Sequence, residues 1–372
     1  MKFSLKQKFK MFSQHVIFPF VYFINRWRRV DASLVIFADS HNDSCPPQME
    51  RIRCELQRQG YNVADFFFDS SAMTGIQIIK KMSEFMKMYA GAGAVVICDN
   101  FLPVASCKKR SETKVVQLWH GCGSFKKFGY DATDDIPVEY KGDVYKNYTM
   151  VTVSGDSVAD NFKSAMGITD KSVVVPIGVS YTDRLFDREY IELCRDKFRY
   201  TYPDASGKKV VLWAPSFRGN ASLAKGQTAS GEEAVDLLNQ SEELFVIKSF
   251  HPHTIDSDRT KPFMSTGELL VCADVLITDY SSVFFEYLLM DKPIVFFAPD
   301  LGDYQGKRGF YLDYGELPGA IAKDARELEN AVYTACFSED KYEQKRAAYK
   351  ASYMSACDGN ATGRIAEYIG RG

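Results

Sequence analysis

The sequence has little of what marks several common classes of enzyme. Its 372 residues include only five histidines, and none of its nine cysteines forms a CxxC pair or has zinc-finger spacing. No GxGxxG fingerprint follows the first predicted strand, and neither a P-loop nor a GxSxG elbow is present. These absences argue against structural zinc, dinucleotide-dependent oxidoreductases, P-loop NTPases and α/β-hydrolases. An odd number of widely spaced cysteines in so long a chain predicts free thiols in a reducing compartment.

The net charge is also small. The chain carries 46 Lys and Arg residues against 48 Asp and Glu residues, which gives a formal charge of −2. Because a nearly neutral protein lacks the basic field that attracts nucleic acid, we expect no nucleic-acid partner. A content of 46% apolar and 25% charged residues is typical of globular proteins, and 372 residues exceed one ordinary hydrophobic core. Two domains are therefore expected.

The first thirty residues contain no acidic side chain. They carry seven cations: Lys2, Lys6, Lys8, Lys10, Arg26, Arg28 and Arg29. The apolar run between them, residues 16–24, contains Pro19 and is shorter than the roughly 20 residues that a membrane-spanning helix requires. No small-residue cleavage site follows it, so we do not expect a signal peptide. Cations around apolar side chains favour a segment lying in an anionic membrane interface; the alternative is an ordinary amphipathic helix packed on the domain.

Short apolar runs alternate with helical patterns in both halves of the chain. In the first half the predicted strands are residues 32–38, 61–68, 94–99, 115–119, 150–154 and 172–178, and the predicted helices are 46–60, 76–90 and 157–167. In the second half the strands are 210–216, 244–249, 275–279 and 293–298, and the helices are 232–240, 282–290 and a region from about 324. Such alternation predicts parallel sheets covered by helices on both faces.

The fold class predicted from this order is α/β, with two doubly wound Rossmann-like domains. The expected segments are a membrane-associating stretch 1–30, an N-terminal domain 31–180, a linker and helix 181–207, a C-terminal domain 208–335 and a helical region 336–372 that packs back on the N-terminal domain. Ligands of such sheets bind at the carboxyl ends of the strands, so the residues that follow the strands are the candidates for chemistry.

Polar residues are concentrated at these strand ends. Three of the five histidines, His120, His251 and His253, stand just after predicted strands, although a single such histidine is often only structural. The turn LITDYSSVFFE supplies four more groups at a helix start: Thr278, Asp279, Ser281 and Ser282. Helix N-termini bind phosphate well, whereas plain capping needs only one hydroxyl or carboxylate. The turn therefore favours a phosphate site.

Cationic side chains follow other strands and loops. Candidates for contacting phosphate oxygens are Ser216 and Arg218 in APSFRG, Lys307 and Arg308 in KRGFY, and Lys126 and Lys127 after WHGCG. A Lys-Arg pair taken alone is more often a solvated surface. Asp256 and Asp258 have the DxD spacing of metal-dependent glycosyltransferases, but such triplets arise often by chance. WHGCG itself (residues 119–123) suggests a cysteine nucleophile with a histidine base, a pair of metal ligands, or a single catalytic histidine.

Taken together, these motifs resemble those of the CDP-glycerol glycerophosphotransferase family, the teichoic-acid primases and polymerases of bacterial envelopes. The similar segments are WHG with KKFG at 126–129, WAPSFRG at 213–219, IKSFHP at 247–252, and residues 276–319 with LITDYSSVFFEYLLMDKPIVFFAPDLGDY and KRGFY. The resemblance runs from about residue 114 to 335 in the family's order, and the first hundred residues match only in general pattern. It implies a GT-B fold, in which two Rossmann-like domains face a central cleft.

The activity that the resemblance implies is metal-independent and needs no cofactor. A polyol phosphate passes from a CDP-activated donor to a hydroxyl of a lipid-linked acceptor, with release of CMP, at the cytoplasmic face of the membrane. Glycerol phosphate is favoured as the transferred group, with ribitol phosphate or another polyol phosphate as the alternative. The acceptor, the choice between primase and polymerase, and the oligomeric state, including a homo-oligomer, stay open.

The resemblance also assigns roles by position. His120 matches the general base of the WHG motif, with Gly121, Lys126 and Lys127 on the acceptor side. His251 matches the histidine of the Lys-x-His-Pro motif near the donor pyrophosphate, although one extra residue after Lys248 leaves His253 as its alternative. On the donor side the matching or neighbouring residues are Ser216, Arg218, Lys248, Thr278, Asp279, Ser281, Ser282, Glu286, Lys307 and Arg308. No residue is assigned to a metal.

The chain departs from the family's pattern at a few positions. Cys122 stands where threonine is usual, Glu286 replaces a common aspartate, and Ser180-Tyr181 replaces a usual Pro-Arg. We expect Cys122→Thr to be tolerated. Two rival interpretations are another GT-B enzyme, such as a nucleotide-sugar glycosyltransferase or sugar epimerase, and a non-catalytic nucleotide-binding module. Retention of His120 together with the phosphate turn argues against the second.

Overall fold

All named strands of the protein pair in parallel, as their continuous apolar runs predict. The computed structural model describes residues 5–132, 135–136, 140, 142–216, 231–250, 263–302 and 309–371. The chain divides into two units. The first takes residues up to 120, residues 128–183 and the chain from 356 onward, and the second takes 121–127 and 184–355. Each is an α/β unit built around one sheet.

The sheet of the first unit has six strands. In chain order they are β1 Asp31–Asp39, β2 Asn62–Phe67, β3 Ala92–Ile97, β4 Lys114–Gln117, β5 Met150–Thr152 and β6 Val174–Val175. Their order in the sheet is β2-β1-β3-β4-β5-β6. Ile36 of β1 lies opposite Val95 of β3, and both side chains are fully buried. Such β-branched side chains suit a pleated strand that is covered on both faces.

Seven α-helices of the described chain belong to this unit, and one of them comes from the C-terminal end of the sequence. They are α1 Leu5–Phe12, α2 Phe18–Ile24, α3 Pro47–Arg58, α4 Gly75–Tyr89, α5 Leu102–Ala105, α6 Asp156–Met166 and, from the C-terminus, α13 Ala361–Gly370. The last of these packs against α3. Lys114 holds its carboxyl end, since Nζ donates to the carbonyls of Tyr368 and Ile369 at 2.8 and 3.0 Å. A cation at that position complements the negative end of the helix dipole.

The second unit has a five-stranded sheet. Its strands are β7 Lys209–Trp213, β8 Leu244–Lys248, β9 Val275–Thr278, β10 Ile294–Phe297 and β11 Ala320–Ala322, in the order β11-β10-β9-β7-β8. Its helices are α7 Arg188–Thr201, α8 Glu232–Leu238, α9 Thr266–Cys272, α10 Val283–Leu288, α11 Ala325–Phe337 and α12 Glu343–Tyr353. Helix α9 was not predicted, because it has only seven residues and Asp274 is the one polar residue between its apolar run and β9. A capping box between Ser265 and Glu268 marks its start and is legible in the sequence.

The basic N-terminal segment packs on the first unit along one side. A π-helical turn, Ser13–Ile17, joins α1 to α2. Phe18 and Tyr22 are 1% exposed, and the Tyr22 ring lies 5.1 Å from that of Tyr89 on α4. Among the described residues, no helix combines the length and apolar character needed to cross a bilayer.

Candidate active site

His120 follows a sharp turn at the end of β4. Trp119 has a positive φ of 59°, which is uncommon for a bulky residue. The buried side chain of Gln117 holds this turn, since its Oε1 accepts from the Trp119 N–H at 2.8 Å while its Nε2 donates to the Asp99 carbonyl at 3.0 Å. The Trp119 ring then stacks on the His120 imidazole with centroids 4.5 Å apart. The turn therefore presents His120, whose side chain is 51% exposed, on an aromatic support.

A carboxylate lies beside the imidazole. Asp99 follows β3, and its Oδ1 lies 3.9 Å from His120 Nδ1. Its Oδ2 lies 3.9 Å from Nε2 of a second histidine, His41, in the loop after β1. The sequence analysis singled out neither residue. The rule that selected His120 also applies to them, because each follows a strand of the sheet.

The residues after His120 belong to the second unit, where two glycines pack on α10 and the turn before it. A Cβ on Gly121 would lie 3.1 Å from the Ser282 hydroxyl, and a Cβ on Gly123 would lie 2.3 Å from the Phe285 ring. Gly123 also has a positive φ of 63°, which only glycine adopts readily. Cys122, between them, is 1% exposed. Such a buried thiol offers no accessible nucleophile. The glycines allow this segment to approach α10 and the turn before it closely.

The same segment pairs with the end of the KRGFY motif. The Tyr311 N–H donates to the Phe125 carbonyl at 2.8 Å, and the Lys127 N–H donates to the Gly309 carbonyl at 3.2 Å. The Phe125 ring stacks on Phe310 with centroids 5.1 Å apart. Three motifs far apart in sequence, at 121–127, 278–285 and 309–311, are thus brought together. The sequence analysis had placed residues 121–127 inside the N-terminal domain.

Side chains at the ends of β7 and β9 brace this region internally. Thr278 Oγ1 donates to the Ala214 carbonyl at 2.7 Å. Asp279 is 2% exposed, and its Oδ1 accepts from the Ser216 N–H at 2.8 Å and from the Ser216 hydroxyl at 2.7 Å. A buried carboxylate needs such donors to offset its lost hydration. Thr278, Asp279 and Ser216 therefore hold two strand ends together.

The helix start differs slightly from the prediction. Helix α10 begins at Val283 rather than at Ser281 or Ser282, and it has only six residues. Ser281 Oγ accepts from the Val283 N–H at 3.3 Å. One hydroxyl thus caps the helix, as expected if the turn served only for capping. The Ser282 side chain makes no cap and faces Gly121. Glu286 lies half-buried on α10.

Lys248, at the end of β8, is bound by two acids of α8. Its Nζ lies 3.0 Å from Glu232 Oε1 and 2.5 Å from Asp236 Oδ1. Burial lowers the pKa of Lys248, but the hydrogen bonds to Asp236 and Glu232 outweigh burial and raise its pKa above the ordinary value. In this structure the ammonium group is thus engaged with α8.

Several predicted residues lie outside the described part of the chain. They are Arg218, His251, His253, Lys307 and Arg308, together with the DxD pair Asp256 and Asp258. Within the ranges that the structure describes, no three His, Cys, Asp or Glu side chains are placed to hold a metal ion.

Comparisons with known proteins identify the family of the chain. The profile of the CDP-Glycerol:Poly(glycerophosphate) glycerophosphotransferase family matches residues 20–371. The teichoic acid ribitol-phosphate primase of Bacillus spizizenii is 33% identical over 309 residues, 77% of this chain and 77% of the relative. The teichoic acid glycerol-phosphate primase of Bacillus subtilis is 33% identical over 291 residues, 74% of this chain and 73% of the relative.

A solved structure shows the same fold. A variant of the wall teichoic acid polymerase TagF soaked with CDPG matches with a TM-score of 0.71 at 20% identity, over 95% of this chain and 92% of that one. Two parallel-sheet units and this likeness confirm the predicted α/β, GT-B fold class. The extent of the profile match and the identity to both primases show that the chain belongs to the CDP-glycerol:poly(glycerophosphate) glycerophosphotransferase family.

Proposed function

We propose that this protein transfers glycerol phosphate from CDP-glycerol to a hydroxyl group of a lipid-linked acceptor and releases CMP. The acceptor oxygen attacks the phosphorus atom that carries the glycerol, the bond from that phosphorus to the oxygen of CMP breaks, and the hydroxyl proton passes to a base. Such a reaction needs one base for the alcohol and several N–H or cationic groups for the phosphate oxygens.

The observation that carries this proposal is the packing of Gly121 against Ser282. The WHG motif ends on the turn that the family resemblance assigns to the donor phosphates, and a methyl group at residue 121 would already crowd the Ser282 hydroxyl at 3.1 Å. The proposed base, His120, directly precedes this glycine in the sequence. The packing of Gly121 on the proposed donor turn and the order of the two residues in the chain support the proposal.

The base is His120. Its imidazole is half exposed, stacked on Trp119 and flanked by a carboxylate, as a general base that must meet a substrate hydroxyl requires. We expect His120→Gln to lower kcat by on the order of 10³-fold or more, while binding of CDP stays nearly unchanged. His15→Gln, at an exposed histidine of the N-terminal helix, is the matched control. Normal turnover by the His120 variant would refute the assignment.

The donor is tested by substrate competition. Because the ribitol-phosphate and glycerol-phosphate primases are equally identical to this chain at 33%, CDP-ribitol is the main alternative donor. The enzyme is incubated with CDP-glycerol, CDP-ribitol and UDP-sugars in turn, and release of CMP or UDP is followed. CMP from CDP-glycerol supports the proposal, CMP from CDP-ribitol alone would reassign the polyol, and UDP release would favour the glycosyltransferase. Full activity in excess EDTA is expected, because no metal is assigned to the reaction.

The outer face of the N-terminal helices is the proposed membrane contact. Apolar side chains recur there every three or four residues and are 47–78% exposed: Phe9, Phe12, Val16, Phe20, Phe23, Ile24 and Trp27. Exposed cations accompany them: Lys8, Lys10, Arg26, Arg28 and Arg29. An apolar helical face with basic neighbours and no acid fits the interface of an anionic lipid bilayer. This surface would hold the enzyme peripherally where a lipid-linked acceptor is available.

Substitution of three exposed residues tests this contact better than truncation, which would also remove buried Phe18 and Tyr22. The triple variant Phe20→Ser, Phe23→Ser, Trp27→Ser should lose at least about 10-fold in binding to phosphatidylglycerol liposomes without a lower melting temperature. The control is Tyr200→Ser, at a tyrosine 91% exposed in the second unit. Equal sedimentation of the triple variant and the control with liposomes would contradict the proposal.

A further inference from the structure

Three ionisable side chains meet at the carboxyl ends of β1, β3 and β4. Asp99 lies between two imidazoles, with Oδ1 3.9 Å from His120 Nδ1 and Oδ2 3.9 Å from His41 Nε2. The strands that deliver them are neighbours in the sheet, in the order β1-β3-β4, although 57 residues lie between His41 and Asp99 in the sequence. The sheet topology therefore builds a histidine–aspartate–histidine row that the sequence does not display.

One hydrogen bond holds the Asp99 carboxylate, and a second holds its backbone. The Asn100 N–H donates to Asp99 Oδ1 at 2.6 Å, and the buried Gln117 amide donates to the Asp99 carbonyl at 3.0 Å. The Gln117 side chain also holds the Trp119 N–H. The loop that carries Asp99 and the turn that carries His120 are thus tied to the same amide group. Such anchoring is typical of residues that orient a catalytic side chain.

A turn that Asp39 holds by hydrogen bonds presents the second histidine. Asp39, 3% exposed at the end of β1, accepts at Oδ1 from the His41 N–H at 2.6 Å and from the Asn42 N–H at 2.9 Å. This turn projects the His41 ring, 57% exposed, towards the far side of Asp99. His41 Nε2 therefore lies nearest to Oδ2 of Asp99, whereas His120 lies beside Oδ1.

We propose that Asp99 is the positioning residue of His120 and that His41 fixes the orientation of Asp99. The carboxylate attracts the proton of the neutral imidazole to Nδ1 and so leaves Nε2 free to accept the proton of the acceptor hydroxyl. Hydrogen bonds of this kind are often long before substrate binds, and the 3.9 Å separation closes to bonding distance when the acceptor is in place. This inference rests on the proposed role of His120 as the base.

The other ionisable groups near Asp99 do not offer a competing partner. Burial raises the pKa of the Cys98 thiol, and Sγ lies 3.8 Å from Asp39. Burial also raises the pKa of Tyr145 and of Tyr148, so both phenols stay neutral, and Tyr148 is engaged with Gln117 at 3.3 Å. The Asp69 carboxylate accepts from the Ser71 N–H at 2.8 Å, and its charge also interacts with His41. Among the described residues, the Asp99 carboxylate thus lies between the imidazoles of His120 and His41, each 3.9 Å away.

The first test is kinetic. Asp99→Asn should lower kcat by on the order of 10²-fold with KM for the CDP-activated donor changed less than about three-fold, because the amide no longer selects the tautomer of the base. Asp99→Glu, which restores the carboxylate at a slightly different reach, should recover part of the loss. Asp170→Asn, at an exposed aspartate of the first unit whose Oδ1 accepts from the Ser172 N–H at 2.9 Å, is the control and should behave as the wild type. Unchanged kcat in Asp99→Asn would overturn the proposal.

The second test does not depend on turnover. Ring ¹⁵N chemical shifts of the protein report the tautomer of each neutral histidine, and the His120→Gln variant identifies the His120 signals. We expect the Nδ1–H form in the wild type and a mixture of tautomers in Asp99→Asn. The same tautomer population in both proteins would overturn the positioning role even if activity were lost.

A double-mutant cycle tests His41. His41→Gln should lower kcat about 3- to 10-fold in the wild type and have no further effect in Asp99→Asn, because His41 acts only through Asp99. Additive losses would show that His41 acts independently and would overturn that half of the inference. Failure of this inference can be distinguished from failure of the proposed function. If His120→Gln is active, the base assignment falls; if it is inactive while Asp99→Asn is fully active, only the positioning role falls.

Discussion

The carboxyl ends of the two sheets carry polar residues of opposite character. In the first unit Asp99, His41 and His120 are 39%, 57% and 51% exposed, and their ionisable atoms lie 3.9 Å apart. In the second unit Asp279 and Ser216 are 2% and 6% exposed and are joined by hydrogen bonds of 2.7 and 2.8 Å. One edge leaves its ionisable side chains accessible. The other uses its side chains to hold its own backbone.

This difference follows from what each edge is proposed to do. A base must exchange a proton with a substrate hydroxyl, so it needs exposure and a partner that tolerates a change of charge. A phosphate turn needs N–H groups held in fixed positions, because preorganised donors stabilise developing charge without reorganising. Substitutions should therefore affect activity at the first edge and stability at the second.

The largest effect on stability is expected at Gly123. An alanine there would adopt a left-handed backbone conformation and place its Cβ 2.3 Å from the Phe285 ring of α10, so Gly123→Ala should lower the unfolding free energy by about 4 kcal/mol. Gly121→Ala meets only the Ser282 hydroxyl, at 3.1 Å, and should cost about 1 kcal/mol or less. Urea denaturation of the two variants measures the difference. Equal losses would show that the segment does not pack tightly on α10.

A smaller effect is expected at Asp279. Asp279→Ala leaves the Ser216 N–H and hydroxyl without their acceptor in a buried site, which should cost about 3 kcal/mol. Asp279→Asn keeps an oxygen acceptor and should cost less. Asp99→Ala, at a carboxylate 39% exposed, should change stability by under about 1 kcal/mol while it impairs turnover. If Asp99→Ala proved the more destabilising variant by denaturation, the contrast between the edges would fail.

Much of the fold was legible in the sequence. Runs such as VVLW and VLIT are short, apolar and rich in β-branched residues, and the structure places strands there at Lys209–Trp213 and Val275–Thr278. The rule that ligands bind at strand ends selected His120 and the Thr278–Ser282 region, both of which the structure places at carboxyl ends of strands. Periodicity and strand ends are local properties, so one sequence suffices to read them.

The remaining features depend on contacts that are not local. Asp99 is a single aspartate in ICDNF, and nothing in that stretch shows that β3 lies between β1 and β4. Residues 121–127 join the second unit without any change in composition at either end. The sequence suggested that Lys248 could bind a phosphate. It did not show the pairing of Lys248 with Glu232 and Asp236, which lie on the preceding helix. Strand order and side-chain pairing across elements decided each case.

A last contrast compares similar ion pairs, one in each unit. In both, an aspartate pairs in two contacts with an arginine six residues later: Asp340 with Arg346 in the second unit, and Asp358 with Arg364 in the first. Arg346 is 4% exposed and Arg364 is 34% exposed. Removal of the aspartate leaves a buried arginine without its counter-ion only in the second unit. Asp340→Asn should therefore lower the unfolding free energy by about 2 kcal/mol, and Asp358→Asn by under about 1 kcal/mol.

The pH dependence of stability separates these pairs further. Hydrogen bonds from Arg346 lower the pKa of Asp340, and those from Arg364 lower the pKa of Asp358 to about 2. The pKa of an aspartate in the unfolded chain is about 3.9. Each pair therefore stabilises the protein fully above that pH and loses its contribution as the pH falls through the lower pKa of the folded state. The difference in unfolding free energy between the wild type and Asp340→Asn should therefore be smaller at pH 2 than at pH 7. A gap that persisted undiminished at pH 2 would mean that packing of Asp340, rather than its charge, supports Arg346.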